Sequence, residues 1–312
     1  MASVRLPVVL LLGVSACLLA TLETRDHGAQ AQPLKPAAPV EHGDVQSSPD
    51  PESGSVVDGA YRNLYFGLTL PLPADWSEDI AGPPPSPVGS YVLDALDGMK
   101  ADQATMLIVA QDLFFGAKTF ANVAELAADL RDSIAGTPIM TIDRALAHTT
   151  IAGHDFLRFD YHAGNLYRVW LATELRCHVV SFNITATDQA KVQSLARGLD
   201  AISLPAKPAV QTVSADGVQP DPVCIKNYVT EQTLLRRIEP APVEPRGVNL
   251  PVRIIIGTDG RVRHIHAISA RPAQRQSIEQ ALMQWEFTPY VGAGHPTEVE
   301  TGVLFKFKPS GQ

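Results

Sequence analysis

The chain lacks the marks of most familiar activities. Basic charge is not in surplus: 33 acidic side chains against 25 basic ones leave a net charge of −8. Such a balance repels phosphate backbones and excludes nucleic acid as the natural partner. The sequence contains no nucleophile elbow, no Walker loop, no dinucleotide-binding loop and no zinc-protease helix, so catalysis has no positive support and no cofactor is expected. Cysteine is scarce, at 3 residues, and no CxxC pair or Cys-His cluster of finger-like spacing occurs, which removes a structural zinc module.

What is present is a chain of 312 residues, longer than one ordinary domain, with 25 prolines concentrated in 33–51, 71–87 and 205–222. Two modest domains joined by Pro-rich linkers fit that length. The expected division is an export segment or anchor over 1–31, a Pro/Ser-rich tether over 32–56, an α/β sandwich over 57–204, a linker over 205–224 and a final domain over 225–312. Arg5 followed by the apolar run 6–22 supplies the export signal. A membrane span needs about 20 apolar residues, so three readings stand side by side. Cleavage and lipidation at Cys17 follows Val14-Ser15-Ala16; ordinary cleavage follows Ala29-Gln30-Ala31; or the segment stays as an anchor with Arg5 inside. Each places the body in the periplasm or cell envelope. There Cys177 and Cys224 are either a disulfide or two isolated buried thiols, and spacing does not choose between them.

The fold class expected is α+β. In the 57–204 region a strand-like aromatic stretch at 61–68 precedes Trp76. Strands are expected over 90–96 and 105–112, the latter apolar enough to be buried on both faces. Val123, Leu126, Ala127, Leu130 and Ile134 mark an amphipathic helix ended near Gly136. Three more strands, about 145–161 broken near Gly153, 167–173 and 177–185, lead to a helix capped by Asp188 that carries Val192, Leu195, Ala196, Leu199 and Ile202. This order, with the opening aromatic strand and the element around Trp76, resembles the PsbP and Mog1-like α/β sandwich.

The C-terminal region reads as a ββαβ unit: a strand over 248–257, a turn at Asp259-Gly260, a strand over 261–269, a helix with Ile278, Ala281, Leu282 and Trp285 on one face, and a last strand over 298–308. Alternation points Val299, Thr301, Val303, Phe305 and Phe307 at the core and Glu298, Glu300, Lys306 and Lys308 at solvent. The entry Leu234-Leu235-x-x-Ile238-x-Pro240, the Asp-Gly hairpin, the Trp285-x-Phe287-x-Pro289-Tyr290 core and the turn Gly294-x-Pro296 together resemble the C-terminal domain of TonB-type energy transducers, over about 234–307. That resemblance implies a non-catalytic module that binds an extended segment of an envelope protein, such as an outer-membrane receptor, by strand pairing. Its pairing strand carries Glu298, Glu300, Leu304, Lys306 and Lys308. A full transducer would also engage inner-membrane motor subunits through a span bearing a His, and 6–22 has none. Other departures are Glu286, Ala293 and Ala241-Pro242 at positions where the family commonly has a basic residue, Asn and Tyr-Pro.

Two features left over concern ligands. His264 and His266 alternate on one strand face, a geometry that could hold a metal, but the Arg-flanked setting and the want of a third ligand nearby read as solvated histidines. His154, Asp155, Asp160, His162 and His178 read as cross-strand surface pairs, although a shared cleft in the 57–204 domain would make a small-ligand site.

Overall fold

The computed structural model describes residues 49–307, apart from 75, 81–84, 99–102, 117, 119, 206–221 and 245–248. The N-terminal segment, Cys17 and Lys308 lie outside the described residues. Within them the fold is α+β and rich in sheet.

A small antiparallel sheet comes first, of β1 (Ser55–Val57), β2 (Ala60–Asn63) and β3 (Leu68–Pro71). The aromatic stretch read as one strand is therefore a hairpin. Leu64 is 77% exposed at its tip and Gly67 adopts φ +60°, a left-handed angle that turns the chain back. The central sheet has seven strands: β4 (Ser77–Ile80), β5 (Ser90–Asp97), β6 (Ala104–Asp112), β7 (Thr141–Ile151), β8 (His154–Ala163), β9 (Leu166–Leu175) and β10 (His178–Ala186), ordered β4-β5-β6-β10-β9-β8-β7 and antiparallel throughout. Helix α1 (Val123–Ala135) starts where the Asn122 side chain accepts from the Glu125 N–H, and α2 (Gln189–Gly198) where Asp188 accepts from Lys191 N–H.

The two faces of this sheet bury different cores. Tyr61, Phe66, Leu96, Met106, Ile108, Val180, Phe182, Ile184 and Val192 pack between the central sheet, the small sheet and α2. On the opposite face α1 covers Leu113, Phe159, Trp170 and Val179. Strand β6 alternates buried and exposed, with Leu107 37% exposed, so it is buried on one face and only partly covered on the other.

The second lobe is a four-stranded sheet, β11 (Val223–Cys224), β18 (Val299–Lys306), β13 (Asn249–Ile256) and β14 (Val262–Ala267) in that spatial order, with α3 (Pro272–Leu282) across it. Short pairs complete it: β12 (Leu234–Arg236) with β15 (Glu286–Phe287), and β16 (Val291–Gly292) with β17 (His295–Pro296). Gly260 has φ +78°, as the Asp259-Gly260 turn requires. Trp285 is 1% exposed, packs against Phe287 and Phe305, and donates its indole N–H to Ile238 O at 2.8 Å. Both lobes fall within one compact unit, Asp44–Gln312, and Ile268, just after β14, packs into the first lobe's core.

Candidate functional site

Strand β18 is the element on which strand pairing was expected, and its two edges differ. One edge pairs with β13 along its whole length, from Val299↔Ile256 to Lys306↔Asn249. The other is covered by β11 at Val299 and Glu300, where the N–H groups of Val223 and Ile225 donate to Glu298 O and Glu300 O. Pro251, opposite Leu304, gives its carbonyl to Ile268 N–H on the β14 side, which fixes the parity of the ladder. The N–H and C=O groups of Gly302, Leu304 and Lys306 consequently point away from β13, and no described residue pairs with them. Leu304 is 57% exposed and Lys306 is exposed.

Glu300 does not belong to a solvated face. It is 3% exposed and turned into the joint between the lobes, because Gly302 beside it lies against Phe114 and Phe115 of the first lobe. Glu298 precedes the strand and is half-buried. The partner of Glu300 is Arg253, a lone cation in an apolar strand, itself 1% exposed. Arg253 donates through Nε to Glu300 Oε1 (3.1 Å), through Nη1 to Asp112 Oδ2 (2.7 Å) and through Nη2 to Arg176 O (3.3 Å), and its guanidinium lies 4.5 Å from the Phe114 ring centre. Tyr65 donates to the same Glu300 oxygen at 2.9 Å.

Burial pushes the Glu300 carboxyl up, but the Arg253 and Arg176 charges and two hydrogen bonds hold it below the usual glutamate range. Asp112 goes the other way: its burial outweighs Arg253 and raises it. His178, expected at the surface, is fully buried here; its Nδ1–H donates to Arg176 O at 2.7 Å. Burial, aided by Arg253, pushes its pKa well below the ordinary value, so the ring is neutral. Beside this cluster Cys177 and Cys224 are joined as a disulfide, their Cα atoms 5.8 Å apart, which ties the turn before β10 to β11.

The other expected polar pairs divide. His148 with Asp155 (3.0 Å) and His162 with Asp143 (2.8 Å) are cross-strand pairs with exposure. Asp160 is buried and held by Arg158 and Gln193. His154, at the start of β8, is half-buried. His264 and His266 are not solvated: their side chains are 12% and 3% exposed. They face Asp50 and Glu52, which belong to the stretch read as tether but are folded onto the body, where Asn63 donates to Pro51 O at 2.7 Å.

A cavity of about 580 Å³ lies between α1 and the partly covered face of the central sheet, lined by Leu107, Phe120, Leu126, Tyr161, Trp170 and Arg168 among others. It holds neither the His nor the Asp groups expected of a cleft there. Arg168 contacts the Tyr161 ring at 5.7 Å and Met140 Sδ at 3.9 Å, and has no carboxylate partner among the described residues. Arg253 could have been noticed as the one charge between Val252 and Ile254. The Asp50-Glu52 contribution had no local signal.

No family model matches the chain, that of the TonB-type C-terminal domain included, and no curated protein matches it. Among solved structures it is similar to the solution structure of cyanobacterial PsbP (CyanoP) from Synechocystis sp. PCC 6803, at 13% identity and a TM-score of 0.33, covering 46% of this chain and 91% of that one. A likeness at that level assigns neither family nor function. No helix among the described residues is long and apolar enough to cross a membrane.

Proposed function

We propose that this is a non-catalytic, exported protein of the cell envelope, with 57–204 and 225–312 as its two modules, that binds an extended segment of a protein partner along β18. The observation that supports this is the run of outward backbone groups at Gly302, Leu304 and Lys306, which no described residue pairs with, in a strand otherwise fully paired. An incoming strand gains main-chain hydrogen bonds there, and Leu304 and Lys306 supply selectivity. Residues 1–31 act as signal or anchor, and an outer-membrane receptor is the expected class of partner. Leu304→Pro removes one outward N–H without touching the β13 ladder, and edge strands tolerate proline. A photo-crosslinking residue at Leu304 in the full chain should trap a discrete envelope protein that one at exposed Leu235 does not, and Leu304→Pro should abolish that partner's capture. Equal trapping from both positions, or capture unaffected by the proline, refutes the reading.

A second reading is favoured by the cavity. A largely apolar space of about 580 Å³ whose Arg168 guanidinium has no carboxylate partner among the described residues suits an amphipathic anion such as an acyl chain ending in a carboxylate. Displacement of a fluorescent fatty acid would test it. Arg168→Gln should weaken binding about tenfold, the worth of one charged hydrogen bond of ~1.5 kcal/mol, and unchanged affinity counts against this site.

A further inference from the structure

In sequence, His264 and His266 want a third ligand; the fold supplies one from more than two hundred residues away. Alternation along β14 sets both imidazoles on the face turned to the first lobe. The chain before β1 makes a tight turn, Ser53 N–H donating to Asp50 O at 3.0 Å, which brings Asp50 and Glu52 to that face. His266 Nε2 lies 3.2 Å from Glu52 Oε1 and 3.9 Å from Asp50 Oδ1, and His264 Nε2 lies 4.0 Å from the same Asp50 oxygen. One ligand atom each from Asp50, Glu52 and His266 sit within 4.8 Å of one another.

Ligands of a tetrahedral zinc at about 2.0–2.1 Å lie roughly 3.3–3.4 Å apart. The His266–Glu52 pair is already at that spacing, at 3.2 Å, and the Asp50 oxygen, 3.9 and 4.0 Å from the two imidazoles, must close by about 0.5–0.7 Å. Two observations distinguish the group from a surface ion pair. His264 Nε2 is buried and has no hydrogen-bond partner, although it is aimed at a carboxylate. His266 is 4% exposed, its ring beside that of Tyr91 with centroids 6.2 Å apart. Asp50 lies against both imidazoles and Glu52 against that of His266.

We propose that Asp50, Glu52 and His266, with His264 completing the set through Asp50, bind a divalent transition-metal ion of the zinc type and so clamp the chain entering the first sheet onto β14. Imidazole donors favour such an ion over calcium or magnesium, which prefer oxygen. The inference is independent of the β18 edge and of the cavity.

Equilibrium dialysis of the full chain against Zn²⁺ should give one equivalent per chain, and Co²⁺ in its place should show the visible bands of a tetrahedral site. Asp50→Asn lies at a partly exposed position and leaves the core intact; with His264→Gln it should lower zinc affinity by more than the roughly 10–100-fold that loss of an outer-sphere partner costs. Absence of stoichiometric zinc, calcium bound as tightly as zinc, or zinc bound unchanged by Asp50→Asn would each overturn the proposal.

Discussion

Replacing Arg253 by methionine is the sharpest probe of how the two lobes are joined. Methionine matches the length of the arginine stem and leaves no large void, so the change isolates the charge. Arg253, Asp112 and Glu300 are 1%, 2% and 3% exposed, and the guanidinium is the only cation hydrogen-bonded to either carboxylate among the described residues. Removing one member of a buried ion pair costs about 3–5 kcal/mol, because the remaining charge is left in a poor solvent. Against a total stability of roughly 5–15 kcal/mol that is a large fraction.

The pH dependence has a definite sign. In the parent, Glu300 is depressed, so it contributes stability above its unfolded pKa that is lost as pH falls through the folded one. In the variant both carboxylates are raised by unopposed burial, and their penalty grows as pH rises above about 4 and vanishes below it. The gap between parent and variant therefore narrows on acidification. Urea unfolding followed by the emission of the buried tryptophans, at pH 7.5 and pH 4.5, reads it. The triple variant Arg253→Met/Asp112→Asn/Glu300→Gln should recover most of the loss, since a fully neutral replacement of a buried network is often harmless. A loss under ~1 kcal/mol for the single variant, or a triple variant no better than the single one, would refute the electrostatic account.

Other outcomes follow from other parts of the fold. The disulfide closes a loop of 47 residues, worth about 4 kcal/mol in chain entropy, so the double variant Cys177→Ser/Cys224→Ser should show a lower urea midpoint by up to that amount. A Cβ at Gly260 would sit 2.0 Å from Phe287 O with φ at +78°, and Gly260→Ala should lose about 2 kcal/mol or more in the same assay. Burial, with the Glu78 charge, raises Asp94 to about 6. A raised carboxylate destabilises the fold as pH rises from its unfolded value through 6, so Asp94→Asn should stabilise at pH 7.5 and the gain should disappear below about pH 4.

Local pattern revealed most of the elements and little of their mutual contact. The spacing of Val123, Leu126, Ala127 and Leu130 gave α1 and its covered face, and Trp285 was placed under α3 from its phase alone. Turns set by Gly153, Asn165 and Arg176 separated β7 to β10 within two or three residues at most ends. What failed was long-range. Glu300, His178, His264 and His266 alternate correctly along their strands, but the faces that alternation assigns to water are covered by residues distant in sequence: Tyr65 and Arg253 at Glu300, Tyr65, Phe66 and Tyr91 at His178, Asp50 and Glu52 at the other two. Whether a strand's polar face meets solvent depends on a packing that no window of neighbouring residues contains. Conversely, the hydrophobic stretch at 61–68 was overridden by a positive-φ glycine.

The Cys177–Cys224 bridge has a practical corollary for how the molecule responds to a protease. Every peptide bond of the connection over 206–221 lies inside the covalent ring that the two sulphurs close. A cut there would nick the chain without releasing either half, so a digested sample would run as one species until a thiol is added and then as two.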